Sequence, residues 1–244
     1  MAHVIILAAG KGTRMRSDLP KVLHPVAGVP MIERVLRTAE GICARPTIVV
    51  GYRAGDVIAH LGEGRDYVVQ EEQRGTGHAV HCALSAFAPA DDAAVVVMPG
   101  DHPFVSAASI LKVVAAREAS DAAVALATVR LPDFEGARAQ FSECGRIVRA
   151  ADGSIAGIVE RKEATEEQAR ISEVNVSYYC FRGAWLKENV ARIVSDNAAG
   201  EYYLTDLIAA AFSQGEKIVG VPLDDAREGM GVNTPEQLIA AASA

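Results

Sequence analysis

Short β-branched runs alternate with amphipathic stretches through the first half of the chain, and no other feature limits the possible folds as strongly. His3 to Ala9, Thr47 to Gly51, Asp66 to Gln70 and Ala93 to Met98 read as strands. Met31 to Glu40, Gly55 to Leu61, Gly77 to Phe87 and Ala107 to Ala119 read as the helices of right-handed crossovers over a mostly parallel sheet. From Asp121 the rhythm changes. Ala122 to Val129, Gly145 to Ala150, Ser154 to Glu160 and Ser172 to Phe181 are strand-like, with a turn signal at Asp152-Gly153. Two helices near Ala184 to Val194 and Thr205 to Phe212 lead to a strand at Lys217 to Val221. The last helix, 234–244, opens on Thr234-Pro235-Glu236-Gln237, which supplies an N-cap, an N1 proline and an N3 glutamine as in a capping box. The expectation is an α/β Rossmann-like three-layer sandwich on a mixed, mostly parallel sheet, with no repeat or linker dividing it.

Composition narrows the function classes. Of 244 residues, 50% are hydrophobic and 23% charged, as expected of a soluble domain with a sizeable core. The longest apolar runs, Val4 to Ala9 and Ala93 to Met98, fall far short of the roughly 20 residues of a membrane span. Met1-Ala2-His3 offers no basic leader, so the expected address is the cytoplasm. A net charge of -7 gives no broad field toward nucleic acid or anionic lipid, and neither is expected as a partner. Cys43, Cys82, Cys144 and Cys180 are widely spaced without a C-x-x-C pair, which argues against zinc and thiol redox chemistry; reduced, mostly buried thiols are expected. His78 and His81 stand beside Cys82 without further ligand spacing and read as helix packing.

The first strand runs into Leu7-Ala8-Ala9-Gly10-Lys11-Gly12-Thr13-Arg14-Met15. Small residues and two glycines let such a loop approach a ligand with its N–H groups outward, and Lys11, Arg14, Arg16 and Lys21 gather positive charge at the carboxyl end of a parallel strand. A polyanion is the natural ligand; a tight strand-to-helix turn with solvated basic residues has the same spacing. A Walker A loop needs G-x-x-x-x-G-K-S/T, which is absent, and the dinucleotide fingerprint needs a third glycine where Met15 stands. Asp101 follows the strand Ala93 to Met98 and Pro99-Gly100, so its carboxylate emerges at the same edge. It suits Mg2+, which takes few protein oxygens and borrows phosphate oxygens, and equally suits a turn cap.

The first loop, together with Leu19-Pro20-Lys21-Val22-Leu23 and Gly28-Val29-Pro30-Met31, resembles the signature of sugar-1-phosphate nucleotidyltransferases. Gln70 to Ala79, Gly145 to Arg149, Gly157 to Thr165, Gly200 to Asp206 and Gly231-Val232-Asn233 are similar, in order, to the N-acetylglucosamine-1-phosphate uridylyltransferase domain of bifunctional GlmU-type enzymes. The resemblance implies Mg2+-dependent transfer of uridylyl from UTP to N-acetylglucosamine 1-phosphate, giving UDP-N-acetylglucosamine and pyrophosphate. It implies catalytic roles for Arg14, Lys21 and Asp101, and metal ligation by Asp101 and Asn233. Leu7, Ala8, Ala9, Gly10, Gly12, Thr13, Gln70, Gly75, Thr76, Pro99 and Gly100 would hold the nucleotide; Gly145, Glu160 and Asn175 would hold the sugar. Residues 1–120 would form the nucleotide lobe and 121–233 the β-rich sugar lobe.

Three departures stand out. Asn175 is followed by Val176-Ser177-Tyr178 where the family shows Asn-Thr-Gly or Asn-Ser-Gly. Asp133 to Cys144 replaces a short Gly-Tyr-Gly turn, and Asn233-Thr234-Pro235 replaces Asn-Asn-Arg. The chain also lacks the hexapeptide repeats of the bifunctional enzyme, so neither acetyl transfer nor that route to trimers is expected. The alternatives are a nucleotidyltransferase for another sugar 1-phosphate or another NTP, and a non-catalytic nucleotide-sugar sensor.

Overall fold

A computed structural model describes residues 2–242. In chain order the elements are β1 (His3–Ala8), β2 (Pro25–Val26), β3 (Val29–Pro30), α1 (Met31–Glu40), β4 (Thr47–Val50), α2 (Ala54–Leu61), β5 (Asp66–Val69), α3 (Thr76–Ala86), β6 (Ala94–Pro99) and α4 (Ala107–Ser120). They continue with β7 (Val124–Arg130), β8 (Arg146–Arg149), β9 (Ile155–Val159), α5 (Glu166–Ala169), β10 (Glu173–Arg182), α6 (Gly183–Val190), α7 (Asp206–Ser213), β11 (Ile218–Pro222) and α8 (Pro235–Ala242). Short 3-10 turns at Thr13–Met15, Lys21–Leu23, Gly136–Glu143 and Ala226–Gly229 were not foreseen, and neither was α5 with its Thr165/Gln168 capping box. Ser243 and Ala244, the end of the expected last helix, lie outside the described residues.

The main sheet runs β11-β7-β10-β6-β1-β4-β5, with β8 and β9 attached through β10. Pairs among β6, β1, β4 and β5 are parallel, as is β11 with β7, while β10 lies antiparallel between β6 and β7. The β-rich second half therefore completes the sheet begun by the first. Helices cover both faces, so the central strands are near-continuous apolar runs rather than alternating ones. Period two still sorts the core. Val4, Ile6 and Ala8 of β1 pack with Val35 of α1 and Val113 of α4, while Ile5 packs on the other side with Val80 of α3 and Leu186 of α6. Each of the Val, Ile and Leu side chains among these contributes about 1.5–3 kcal/mol by leaving water. Among the described residues no helix is long and apolar enough to cross a membrane. All four cysteines are free, but only Cys180 is buried; Cys43, Cys82 and Cys144 are half-buried, with Cys43 and Cys144 packed at the margin of the core.

Candidate active site

β1 and β6 are parallel neighbours, with Leu7 opposite Pro99, so the chains leaving them emerge side by side. Gly100 N donates to Leu7 O at 2.8 Å, and a Cβ at Gly100 would stand 3.1 Å from that oxygen and 3.3 Å from the Ala8 Cβ. Glycine there lets β6 turn tightly and sets Asp101 beside the loop after β1. Within that loop Gly12 takes φ 63°, and a Cβ on it would lie 2.6 Å from the Lys21 Cβ. The loop thus closes over the Lys21 stem and directs its ammonium inward.

Four polar side chains meet there. Lys21 Nζ pairs with Asp101 Oδ2 and donates to Asn233 Oδ1 at 2.9 Å; Arg14 Nη2 donates to the same Asn233 oxygen at 3.0 Å. Burial pushes the Asp101 carboxyl up, but the charges of Lys21 and His102 and the Lys21 hydrogen bond hold it below its ordinary value, so it is ionised. Asn233 is carried here by Val232 N donating to Asp101 O at 3.0 Å and by its own N–H donating to Gln237 Oε1 at 2.7 Å. The expected capping box is thereby altered: Thr234 Oγ1 accepts from Gln237 N at 3.2 Å, but the glutamine reaches back to Asn233 rather than to Thr234.

Two oxygens, one from an ionised carboxylate and one from an amide, converge on a single positive group. These are hard donors in the number that Mg2+ takes from a protein when phosphates and water complete its shell, and the Lys21 ammonium stands in for a cation between them. Among the described residues no cluster of three His, Cys, Asp or Glu side chains could hold a metal alone. Sequence reasoning gave no role to His102, whose Nε2 lies 3.9 Å from Asp101 Oδ1. Tyr178 OH donates to Glu228 O at 2.5 Å, so His102 Nδ1 is the donor in its 3.0 Å bond to that phenol. Burial lowers the His102 pKa and Lys21 lowers it further, against Asp101.

The remaining residues expected to hold the nucleotide lie along the same sheet edge, past the ends of β4 and β5. Gly51 is wedged between Ala9 and Gln73, for its Cβ would come 2.8 Å from both Ala9 O and Gln73 Nε2. Gln70 is buried, and its amide nitrogen reaches Gly75 O at 3.1 Å and His78 Nδ1 at 3.0 Å, which leaves Oε1 without a partner among the described residues. His78 is thereby occupied, in line with its reading as packing. Gly75 takes φ 107°, and Thr76 Oγ1 accepts from Leu204 N at 3.0 Å. Gly10, Thr13 and Arg14 are exposed on the loop. Two β-strands, β1 and β4, lie between β5, which leads into the Gln70 turn, and β6, which leads into Asp101.

Gly145, Glu160 and Asn175, the residues expected to hold the sugar, come together where β8, β9 and β10 meet. Asn175 N donates to Gly145 O at 2.9 Å, and a Cβ at Gly145 would lie 3.6 Å from Glu160 Oε1. Burial raises the Glu160 pKa, a Thr205 hydrogen bond opposes it, and Glu163 adds to it. Both ends of the Asn175 amide are engaged: Nδ2 donates to Tyr179 OH at 2.7 Å and Oδ1 accepts from Ser177 N at 3.1 Å. Those bonds bridge a register shift in the β7–β10 pairing, inside which Ser177 takes φ 62°. Serine thus keeps the left-handed backbone that glycine adopts freely. Ser177→Gly is expected to raise stability by about 0.5–1 kcal/mol, read as a Tm roughly 2 °C higher. An unchanged or lower Tm would mean that the Ser177 hydroxyl contributes more than the strain costs.

Comparison with known proteins identifies the family of the chain. The profile of the MobA-like NTP transferase domain matches residues 4–141. The Bifunctional protein GlmU of Mycolicibacterium vanbaalenii is 43% identical over 246 residues, covering 97% of this chain and 48% of that protein. The protein of the same name from Paracidovorax citrulli is 44% identical over 241 residues, covering 96% and 48%. That of Brevibacillus brevis is 40% identical over 237 residues, covering 97% and 50%. The chain spans about half the length of these curated relatives.

Proposed function

We propose that this chain, which belongs to the MobA-like NTP transferase domain family, transfers the uridylyl group of UTP to N-acetylglucosamine 1-phosphate, giving UDP-N-acetylglucosamine and pyrophosphate. The observation that carries the reading is the convergence of Asp101 Oδ2 and Asn233 Oδ1 on Lys21, with Arg14 on the same Asn233 oxygen. A phosphate oxygen of the sugar phosphate attacks the α-phosphorus, a new P–O bond forms, and the bond to the bridging oxygen breaks to release pyrophosphate. Two anions must approach in line, so the protein contributes position and positive charge rather than a covalent intermediate. The loop N–H groups of Gly10, Gly12 and Thr13 cradle the triphosphate, and Lys21 and Arg14 offset its charge. Asp101 and Asn233 would hold Mg2+, which when bound supplies further charge neutralisation at the reacting phosphates.

Base choice follows from the Gln70 amide. Its nitrogen is spent within the protein, so Oε1 is left to accept, and N3–H of uracil or thymine donates where N3 of cytosine cannot. On the sugar side Glu160 accepts from a hydroxyl beside Gly145. The engagement of Asn175 by Tyr179 and Ser177 favours a second reading in which the nucleotide is the same and the acceptor is another sugar 1-phosphate.

Pyrophosphate release from UTP and Mg2+ with N-acetylglucosamine, glucose, glucosamine and galactose 1-phosphates separates these. Release with the N-acetylated sugar alone is the expected result, and release with another sugar moves the acceptor while keeping the mechanism. Tight binding of UDP-sugars without any release would make the protein a sensor and sink the transfer reading.

A further inference from the structure

Four residues of chain, Tyr202 to Thr205, join the turn assigned to the nucleotide to the carboxylate assigned to the sugar. At one end Tyr202 N donates to Arg74 O and Tyr202 O accepts from Gly77 N, both at 2.8 Å, while Leu204 N donates to Thr76 Oγ1. The Arg74 guanidinium lies 4.9 Å from the centre of the Tyr202 ring and donates to its hydroxyl at 2.9 Å. At the other end Thr205 Oγ1 donates to Glu160 Oε1 at 3.0 Å.

That last bond is not what the local sequence calls for. Thr205 stands at the N-cap of α7, where a threonine hydroxyl ordinarily accepts from a backbone N–H two or three residues on; here it makes no such cap. Its proton goes to the carboxylate instead, and among the described residues no other side chain donates to Glu160. A free glutamate loses rotamer freedom when it grips a ligand, so a donor that fixes one oxygen in advance leaves the other oriented for a sugar hydroxyl. Thr205 is itself buried and anchored by the strap, which makes it a firm donor.

We propose that Thr205 is a positioning residue for the acceptor sugar: its hydroxyl fixes the Glu160 carboxylate, and the Tyr202–Leu204 strap fixes Thr205 against the nucleotide turn. This rests on the nucleotidyl-transfer reading, in which Glu160 faces the acceptor. One segment then sets the relative placement of both substrates. The titratable groups acting on or around Glu160 are Glu163, Asp206, Tyr179, Tyr203 and Cys144, and none of them donates to its carboxylate.

The test compares Thr205→Val, which keeps shape and loses the hydroxyl, with Thr205→Ser, which keeps the hydroxyl. Thr205→Val is expected to raise KM for the sugar 1-phosphate about tenfold, the worth of a hydrogen bond to a charged group, with KM for UTP and the Tm little changed. Thr205→Ser should restore the sugar KM. In 13C NMR the Glu160 carboxyl of Thr205→Val should titrate at higher pH than in the unsubstituted or serine protein, because the lost bond favoured the charged form. An unmoved sugar KM, an equal rise in both KM values, a serine variant as impaired as valine, or an unshifted Glu160 titration would each overturn the proposal. An unsubstituted protein that releases no pyrophosphate with any sugar 1-phosphate overturns the transfer reading and the sugar role with it. The NMR titration needs no turnover and then still decides whether Thr205 holds Glu160.

Discussion

Asp101→Asn should leave the protein folded and reduce pyrophosphate release by roughly a thousandfold, the scale on which a single oriented charge at a phosphoryl-transfer centre acts. The substitution keeps the shape of the side chain and removes its negative charge. The two-oxygen cradle with Asn233 then lacks the ionised member that would draw a divalent cation, so Mn2+ binding followed by electron paramagnetic resonance should weaken along with turnover. Lys21→Met provides the contrast, because it removes the ammonium and leaves both oxygens in place. Its turnover should fall comparably while cation binding persists. Retention of full turnover by Asp101→Asn would remove this carboxylate from the mechanism. Stability responds as well. Asp101 has a folded pKa held below its unfolded value, so its pairing stabilises the protein fully above the ordinary carboxylate range and is lost as pH falls through that lowered value. Asp101→Asn should therefore be less stable at neutral pH, and the difference from the unsubstituted protein should shrink below about pH 4.

The reach of that substitution depends on contacts of very different sequence separation, which also explains what was legible beforehand. Hydrophobic periodicity located the central strands and helices closely, since β6 and α1 are decided by residues within each segment. It also placed Asp101 at the sheet edge, because the residue following a parallel strand must emerge there. The pairing of Lys21 with Asp101 spans 80 residues and that of Arg14 with Asn233 spans 219. No local pattern encodes those contacts, and the resemblance to a known family was needed to name the partners. Where neither pattern nor resemblance applied, the reading missed. The sequence Tyr202-Tyr203-Leu204-Thr205 shows a helix start, and only the fold reveals that the Thr205 hydroxyl turns away from the helix to Glu160. Ser177 stands where the family pattern has glycine. In the structure it occupies glycine's backbone region, held by the Asn175 side chain, because the bulge in β10 is set by pairing across three strands.

Gly75→Ala should be the most damaging small substitution in the turn between β5 and α3, with a loss of about 3 kcal/mol or more in urea unfolding. Two costs add. Gly75 has φ 107° and ψ 175°, a region essentially restricted to glycine, so alanine is strained wherever its methyl points. The methyl would also meet backbone, lying 2.5 Å from Tyr202 O and 2.8 Å from Tyr202 N, and neither atom can rotate away as a side-chain tip could. Relief requires the strap to lift, which breaks the Gly77 N to Tyr202 O and Tyr202 N to Arg74 O bonds and shifts the Gly75 carbonyl that holds the Gln70 amide. Weaker UTP binding should accompany the lost stability. Gly153→Ala separates the two costs, because Gly153 also has positive φ, 83°, but nothing lies within 4 Å of its added Cβ. That control should lose only about 1 kcal/mol, and its UTP binding should be unchanged. Equal losses at the two positions would mean that backbone strain alone governs Gly75 and that the strap is not clamped against the turn.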